Sequence, residues 1–337
     1  MKGSELPKVS AIIPMRDEGK YIGKCLQSLL DQDYPQDKME ILAIDAMSTD
    51  NTKKIVKEYK QKLSFIKLLD NPNIFTPFAF NIGIKNSTGE IIIFMGAHIS
   101  YSPNYISIIA KYLLEGKADC VGSVAHTLPG GNTIIAKAIS LAMSSRFGVG
   151  NSYMRTGVKN ARYVDTASVS GYKREVFDRI GFFDEELIRC QDDEFNYRLR
   201  EARGKILLIP EIKSYYYARP TLNSLWLQYF RYGIWKVRVF QKHPRMMQIR
   251  QFVPSTFVLG MGGSLILSTF APIFFWLFVA VILCYLAGSL FFSFKIAKQH
   301  SWKYFFVMPI VFATLHFSYG LGFLIGLLIF AGRQKKR

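Results

Sequence analysis

The chain has 337 residues, half of them hydrophobic and 15% aromatic, with a formal net charge of +18. That length allows one large domain plus something smaller, and the four cysteines (Cys25, Cys120, Cys190, Cys284) lack disulfide-framework or metal-ligand spacing, which fits a reducing cytosol. The charge is unevenly spread: no Asp or Glu follows Glu211, whereas 15 of the 43 Lys and Arg lie from Lys213 onward. A near-neutral first part therefore precedes a basic, apolar second part.

The opening, MKGSELPKVSAIIP, holds no apolar core of signal-peptide length. Residues 8–14 read as a first strand stopped by Pro14 and followed by the polar turn Met15–Gly19. Tyr21, Ile22, Cys25, Leu26, Leu29 and Leu30 then recur at helical spacing. Met39–Ile44 predict a second strand running into Asp45–Asp50, where Thr49 or Asp50 can cap a helix over Thr52–Lys62. Phe65–Leu69, Phe78–Asn86 and Ile91–Met95 predict a strand, a helix and a fourth strand. Such alternation implies βαβ units and a parallel, doubly wound sheet, with each polar turn at the carboxyl edge where ligands bind. His98, just past the fourth strand, is either a ligand-binding group or a bystander of the turn.

Further along, SGYKREVF (170–177) reads as a Gly-containing turn, and CQDDEFNYRLR opens a helix with Asp192, Asp193 and Glu194. Acidic residues there also suit a helix's positive end. In QYFRYG (228–233), Gln228 and Arg231 share one helical face. Residues 252–294 hold no charge, a length suited to two membrane spans turning at Pro272, and Tyr304–Ala331 is a third uncharged stretch. Arg231, Lys236, Arg238, Lys242, Arg245 and Arg250, interleaved with Trp226, Tyr229, Tyr232 and Trp235, precede the first apolar run. This pattern suits an anionic bilayer surface, and the apolar residues behind it argue against nucleic acid as the partner.

Taken in order, VSAIIPMRDEGKYIGKCLQSLLDQDYP, EILAIDAMSTDNT, FAFNIGIKNSTGEIIIFMGAH, QDDEFNYRLR and QYFRYG resemble the family-2 glycosyltransferases with a nucleotide-diphospho-sugar-binding fold. The resemblance is closest to the membrane-attached succinoglycan-biosynthesis type. It implies a single α/β, GT-A-type doubly wound, mostly parallel sheet with a C-terminal α-helical transmembrane region. The expected division is a glycosyltransferase domain over 1–230, an interfacial segment over 231–251, and three to four hydrophobic segments over 252–337.

The resemblance also assigns roles. Pro14, Arg16 and Glu18 would line the base and ribose, Asp45 would hydrogen-bond a uracil ring, and Asn81 would face the nucleotide edge. Gln228 and Arg231 would serve the donor, with Arg231 beside the leaving diphosphate. His98 would be the side-chain ligand of a divalent metal, Mn²⁺ or Mg²⁺. Asp192 would be the catalytic base, with Glu194 behind it or toward the acceptor. Two positions depart from the family pattern: Gly96 stands where an acid is usual, and Gln191 where Glu is preferred.

The implied activity is inverting hexosyl transfer from a nucleotide sugar, uridine-linked by expectation, to a polyprenyl-linked or saccharide acceptor in surface polysaccharide synthesis. Polyprenyl phosphate itself is an alternative acceptor, and a catalytically silent membrane scaffold is an alternative function. The expected location is the plasma (inner) membrane, multi-pass, with the catalytic part and the Lys295–Lys303 loop cytoplasmic. A single third span would leave Arg333–Arg337 outside, against the positive-inside tendency, so 304–331 is expected to break or re-enter near Ser318–Gly320.

Overall fold

A computed structural model describes residues 6–332. The expected return of Arg333–Arg337 to the cytosol lies outside the described residues. In chain order the elements are β1 Val9–Met15, α1 Ile22–Leu30, β2 Met39–Asp45, α2 Thr52–Lys62, β3 Ile66–Asp70, α3 Thr76–Asn86, β4 Ile91–Phe94, β5 Ile99–Tyr101, α4 Tyr105–Leu114 and β6 Cys120–Leu128. There follow α5 Ile134–Met143, α6 Arg146–Val149, α7 Tyr153–Thr156, β7 Arg162–Tyr163, β8 Ser170–Lys173, α8 Glu175–Ile180, α9 Gln191–Glu201 and β9 Ile206–Tyr217. The chain ends in α10 Leu222–Lys242, α11 Val253–Leu267, α12 Pro272–Gln299 and α13 Lys303–Ile329. It forms two compact units, Met1–His126 with Gly157–Tyr216 and Thr127–Thr156 with Tyr217–Arg337.

The first unit carries the sheet, ordered β3-β2-β1-β4-β8-β6-β9-β5, with β7 beside β9. β1 pairs parallel with β2 and β4, and β2 with β3, giving the expected doubly wound half. Its strands are near-continuous apolar runs, with VSAIIPM, MEILAID and IIIF buried almost throughout, because helices cover both faces of a parallel sheet. Beyond β4 the sheet turns antiparallel: β8 pairs with β4 and β6, and β9 with β5 and β7. The sheet is therefore mixed. SGYK, read as a turn, is the inner strand β8, since both neighbours use its backbone.

The register places Met15 beside Asp45 and Asp45 beside Asp70, so three strands end flush. β4 pairs with β1 only as far as Ile12, and the amide of Met95 makes the last bond, to Ile12 O at 2.9 Å. Pro14 faces the same side two residues on. Its missing N–H falls where β4 has peeled away, so a proline fits in a central strand. That parting marks the switch point of the sheet.

Neither segment of the second unit contains an Asp or Glu. Among the described residues, two of its helices are long and apolar enough to cross a membrane: α12, with 28 residues, few of them buried, and α13, with 27 residues, close to half of its most apolar stretch buried. Their lengths, roughly 42 and 40 Å at 1.5 Å per residue, exceed a ~30 Å hydrocarbon layer. α11, with 15 residues, reaches only about 22 Å, so residues 252–294 hold one helix of spanning length rather than two. The chain turns just before Pro272, which opens α12, and α12 continues through residue 299, shortening the expected 295–303 loop.

The expected break near Ser318–Gly320 is absent, because α13 runs unbroken through it. The glycines there are contact points. A Cβ on Gly322 would lie 2.1 Å from Phe230 O on α10, and one on Gly320 would lie 2.5 Å from Pro254 O on α11. Small residues let these backbones meet, as in membrane helix pairs.

Candidate active site

The site is built on the turns after β1, β2 and β4. The first two turns are stitched together. The Asp17 amide donates to Ser48 Oγ at 3.0 Å, and Asp17 Oδ1 accepts from the Thr49 amide at 2.8 Å. The Glu18 amide donates to Thr52 Oγ1 at 2.7 Å and the Gly19 amide to Asp50 Oδ2 at 2.9 Å. Asp50 Oδ1 also takes the first amide of α2, from Thr52, at 2.9 Å, while the N-cap position itself is Asn51 rather than Thr49 or Asp50. Asp17 and Ser48 were missed as site-forming residues, since a polar turn gives no signal of which other turn it binds.

Asp45 ends β2 fully buried, at 0% exposure. Its Oδ2 accepts from the Ser48 amide at 3.2 Å, and its Oδ1 has no hydrogen-bond partner. A buried unmatched acceptor costs about 1–3 kcal/mol, and at a ligand-binding edge a ligand can repay that cost. Arg16 is exposed beside this turn, with Nε 3.8 Å from Asp17 Oδ2.

His98 Nδ1 lies 3.0 Å from Glu18 Oε1, joining two residues 80 positions apart. With Nδ1–H given to the carboxylate, Nε2 presents a lone pair, the arrangement that orients metal-binding histidines. Tyr216 packs edge-on against the imidazole, ring centroids 5.5 Å apart. Among the described residues no group of three or more His, Cys, Asp or Glu could hold a metal ion. The donors therefore make no closed cage; they fit an ion that takes most of its ligands from a diphosphate and water. At Gly96 a Cβ would meet Ile99 Cδ1 at 2.8 Å, so the space of a family carboxylate is filled by Ile99.

Asp192 and Asp193 sit, partly buried, in the first turn of α9, and the Asp193 amide donates to Asp192 Oδ1 at 3.0 Å. Aromatic rings fix this turn against the sheet: Phe195 stacks on Phe183 at 4.3 Å, and Phe183 meets Phe94 of β4 edge-on at 4.9 Å. Asn196, fully buried, accepts from Tyr172 OH at 2.7 Å and donates to Ala167 O at 2.7 Å and Thr166 Oγ1 at 3.0 Å. Burial first, then the neighbouring Cys120 and Asp192 charges, push the Tyr172 phenol far above its usual range, so it stays a donor.

Two of the expected site residues turn their bonds inward. Glu194 was expected behind the base or toward the acceptor. It is buried and bidentate with Arg198, at 2.7 and 3.0 Å, and Arg198 in turn holds Phe182 O at 2.7 Å and Ile180 O. Asn81 was expected at the nucleotide edge. Its Nδ2 donates to Phe183 O and Glu185 Oε1 at 2.9 Å each, and its Oδ1 accepts from the Phe183 amide at 2.9 Å. Both residues brace the loop before α9, because a buried polar side chain must spend its bonds inside the protein. Gln228 and Arg231 lie on α10 in the second unit, where Gln228 Nε2 donates to Tyr232 OH at 3.0 Å and Arg231 is exposed.

The family model for glycosyl transferase family 2 matches residues 10–181. A dolichyl N-acetyl-alpha-D-glucosaminyl phosphate 3-beta-D-2,3-diacetamido-2,3-dideoxy-beta-D-glucuronosyltransferase of Methanococcus voltae is 31% identical over 242 residues, covering 69% of this chain and 74% of its own. The succinoglycan biosynthesis protein ExoA of Rhizobium meliloti is 28% identical over 258 residues, covering 75% and 77%. Among solved structures, the mannosyltransferase PcManGT of Pyrobaculum calidifontis, in complex with GDP-Man and Mn²⁺, shares the fold with a TM-score of 0.60 at 15% identity, covering 94% of this chain and 88% of that one.

Proposed function

The chain belongs to glycosyl transferase family 2, and on that premise we propose that it is an inverting, membrane-anchored hexosyltransferase. It would move a sugar from a uridine-diphospho-sugar to a polyprenyl-linked or saccharide acceptor in surface polysaccharide synthesis. The observation that carries the donor assignment is the buried Asp45 carboxylate with Oδ1 unmatched. Oδ2 is held by the Ser48 amide, so one oxygen remains, which matches a base edge offering one N–H between two carbonyls. Guanine offers two adjacent donors and would use both oxygens. Pro14, Arg16 and Glu18 would line the base and ribose. The name of the Methanococcus relative supports a lipid-linked acceptor.

Asp192 takes the acceptor hydroxyl proton as the hydroxyl attacks the anomeric carbon. One carboxylate acting as base suits transfer, where a pair flanking the bond suits hydrolysis. His98, oriented by Glu18, would hold a divalent ion with the diphosphate, and that ion would supply charge neutralisation of the leaving group. Imidazole is a better donor to Mn²⁺ than to Mg²⁺. The first unit would carry this chemistry. The second would attach the protein to the cytoplasmic face of a plasma membrane, its basic residues drawn to anionic lipid.

A second reading, a catalytically silent scaffold, is favoured by Gly96 and Gln191. The test is a donor panel: purified full chain, a polyprenyl-diphospho-sugar acceptor and each common nucleotide sugar, read by mass shift. Transfer from a uridine-linked donor is expected, and its loss in excess chelator tests the metal. Neither transfer nor hydrolysis from any donor would leave the scaffold.

A further inference from the structure

We propose that Met47 reads the nucleobase of the donor, packing its thioether on the ring whose N–H is taken by Asp45; this rests on the uridine-nucleotide reading above. Met47 has φ 58°, the left-handed region that glycine enters freely and other L-residues enter only at a cost. Burial inside the protein does not repay that cost, because Met47 is 51% exposed. On folding grounds alone glycine is the better residue here. Backbone strain kept at a ligand edge is a recurrent feature of binding turns.

The second observation is independent of the strain. Asp45 Oδ2 reaches across Met47 to the Ser48 amide at 3.2 Å, so Met47 is the apex of a turn closed on the carboxylate whose Oδ1 is buried and unmatched. The other side chains of that turn are committed or small: Ala46 is buried, Ser48 Oγ accepts the Asp17 amide, and Asp50 holds Gly19 and Thr52. A base bonded to Asp45 through its edge still presents two flat faces to water. Met47 is the one large apolar side chain of the turn, and a flexible, polarizable thioether suits a ring face. Asp45 would thus select the edge of the base, and Met47 would supply the apolar contact.

The test uses full-length protein in detergent, titrated with UDP and CDP by calorimetry and melted without ligand. Met47→Gly should raise the melting temperature by about 2 °C as the strain is relieved, yet weaken UDP and CDP binding alike, roughly fivefold or more for UDP, leaving the preference set by Asp45 in place. Met47→Leu should keep UDP affinity within about twofold. A Met47→Gly protein that binds UDP as tightly as the parent, or that melts lower than the parent, overturns the inference while the uridine reading stands. A parent that binds no UDP overturns both.

Discussion

Strand β2 buries two carboxylates, one near each end, and they are treated oppositely. Glu40, 3% exposed, accepts from Ser10 Oγ at 2.7 Å, the Thr88 amide at 2.5 Å, Thr88 Oγ1 at 3.0 Å and Lys67 Nζ at 2.8 Å. Burial, the largest influence, raises its pKa, but Lys67, Ser10 and Thr88 together outweigh it and hold the carboxyl at about 2. Asp45, five residues on, is as deeply buried and has one donor for two oxygens. A carboxylate that the protein satisfies itself is a stability device. One left half-satisfied at a strand's carboxyl end is, on the proposed function, where a ligand would supply the second donor.

The largest expected effect tests the site end of this comparison. Asp192→Asn should cut turnover at least about a hundredfold with donor affinity nearly unchanged, since general-base help acts in the transition state. Asp193→Asn should cost less than about tenfold. Steady-state kinetics with equilibrium binding decides, and a dead Asp193→Asn beside an active Asp192→Asn would move the base by one residue.

At the structural end, Glu40→Gln should lower stability by about 3 kcal/mol, several degrees in Tm, and leave UDP affinity unchanged. The pH dependence has a fixed sign. The folded pKa of Glu40, about 2, lies below its ordinary 4.5, so its contribution is complete above pH 4.5 and lost as pH falls toward 2, about 3 kcal/mol in all. Melting curves of parent and Glu40→Gln should converge over that window; curves that stay parallel would remove Glu40 from the account. The smallest effect should be the reverse of this one. Asp45→Asn relieves a buried charge, so it should melt no lower than the parent, while UDP affinity falls at least about tenfold. If it melts lower, Asp45 is a second Glu40 and the contrast fails.

The parallel half of the sheet was legible because strands covered on both faces are continuous apolar runs, each stopped by a polar turn. β5, β7 and β8 are two to four residues long, too short for any periodicity, so the antiparallel half was not. The Glu18, Asp45, His98 and Asp192 positions could be located from the sequence because each sits at or just beyond a strand end or at a helix start. The inward bonds of Asn81 and Glu194 were not legible, because a motif gives a residue's type and place in the chain but not whether its bonds turn inward. At Gly320, in the stretch expected to break the helix, the small residue is a packing contact with α11, a distinction only the neighbouring helix makes. Nothing in the sequence set Thr127–Thr156 apart as part of the second unit.

His316 Nε2 on α13 bonds Phe147 O on α6 at 2.9 Å, across 169 positions of chain. A ribosome adding about 5–20 residues per second makes α5 and α6 some ten to thirty seconds before α13 exists. For that interval the Phe147 carbonyl on α6 lacks its His316 partner. A truncation ending the chain before α11 would leave that carbonyl without its partner for good.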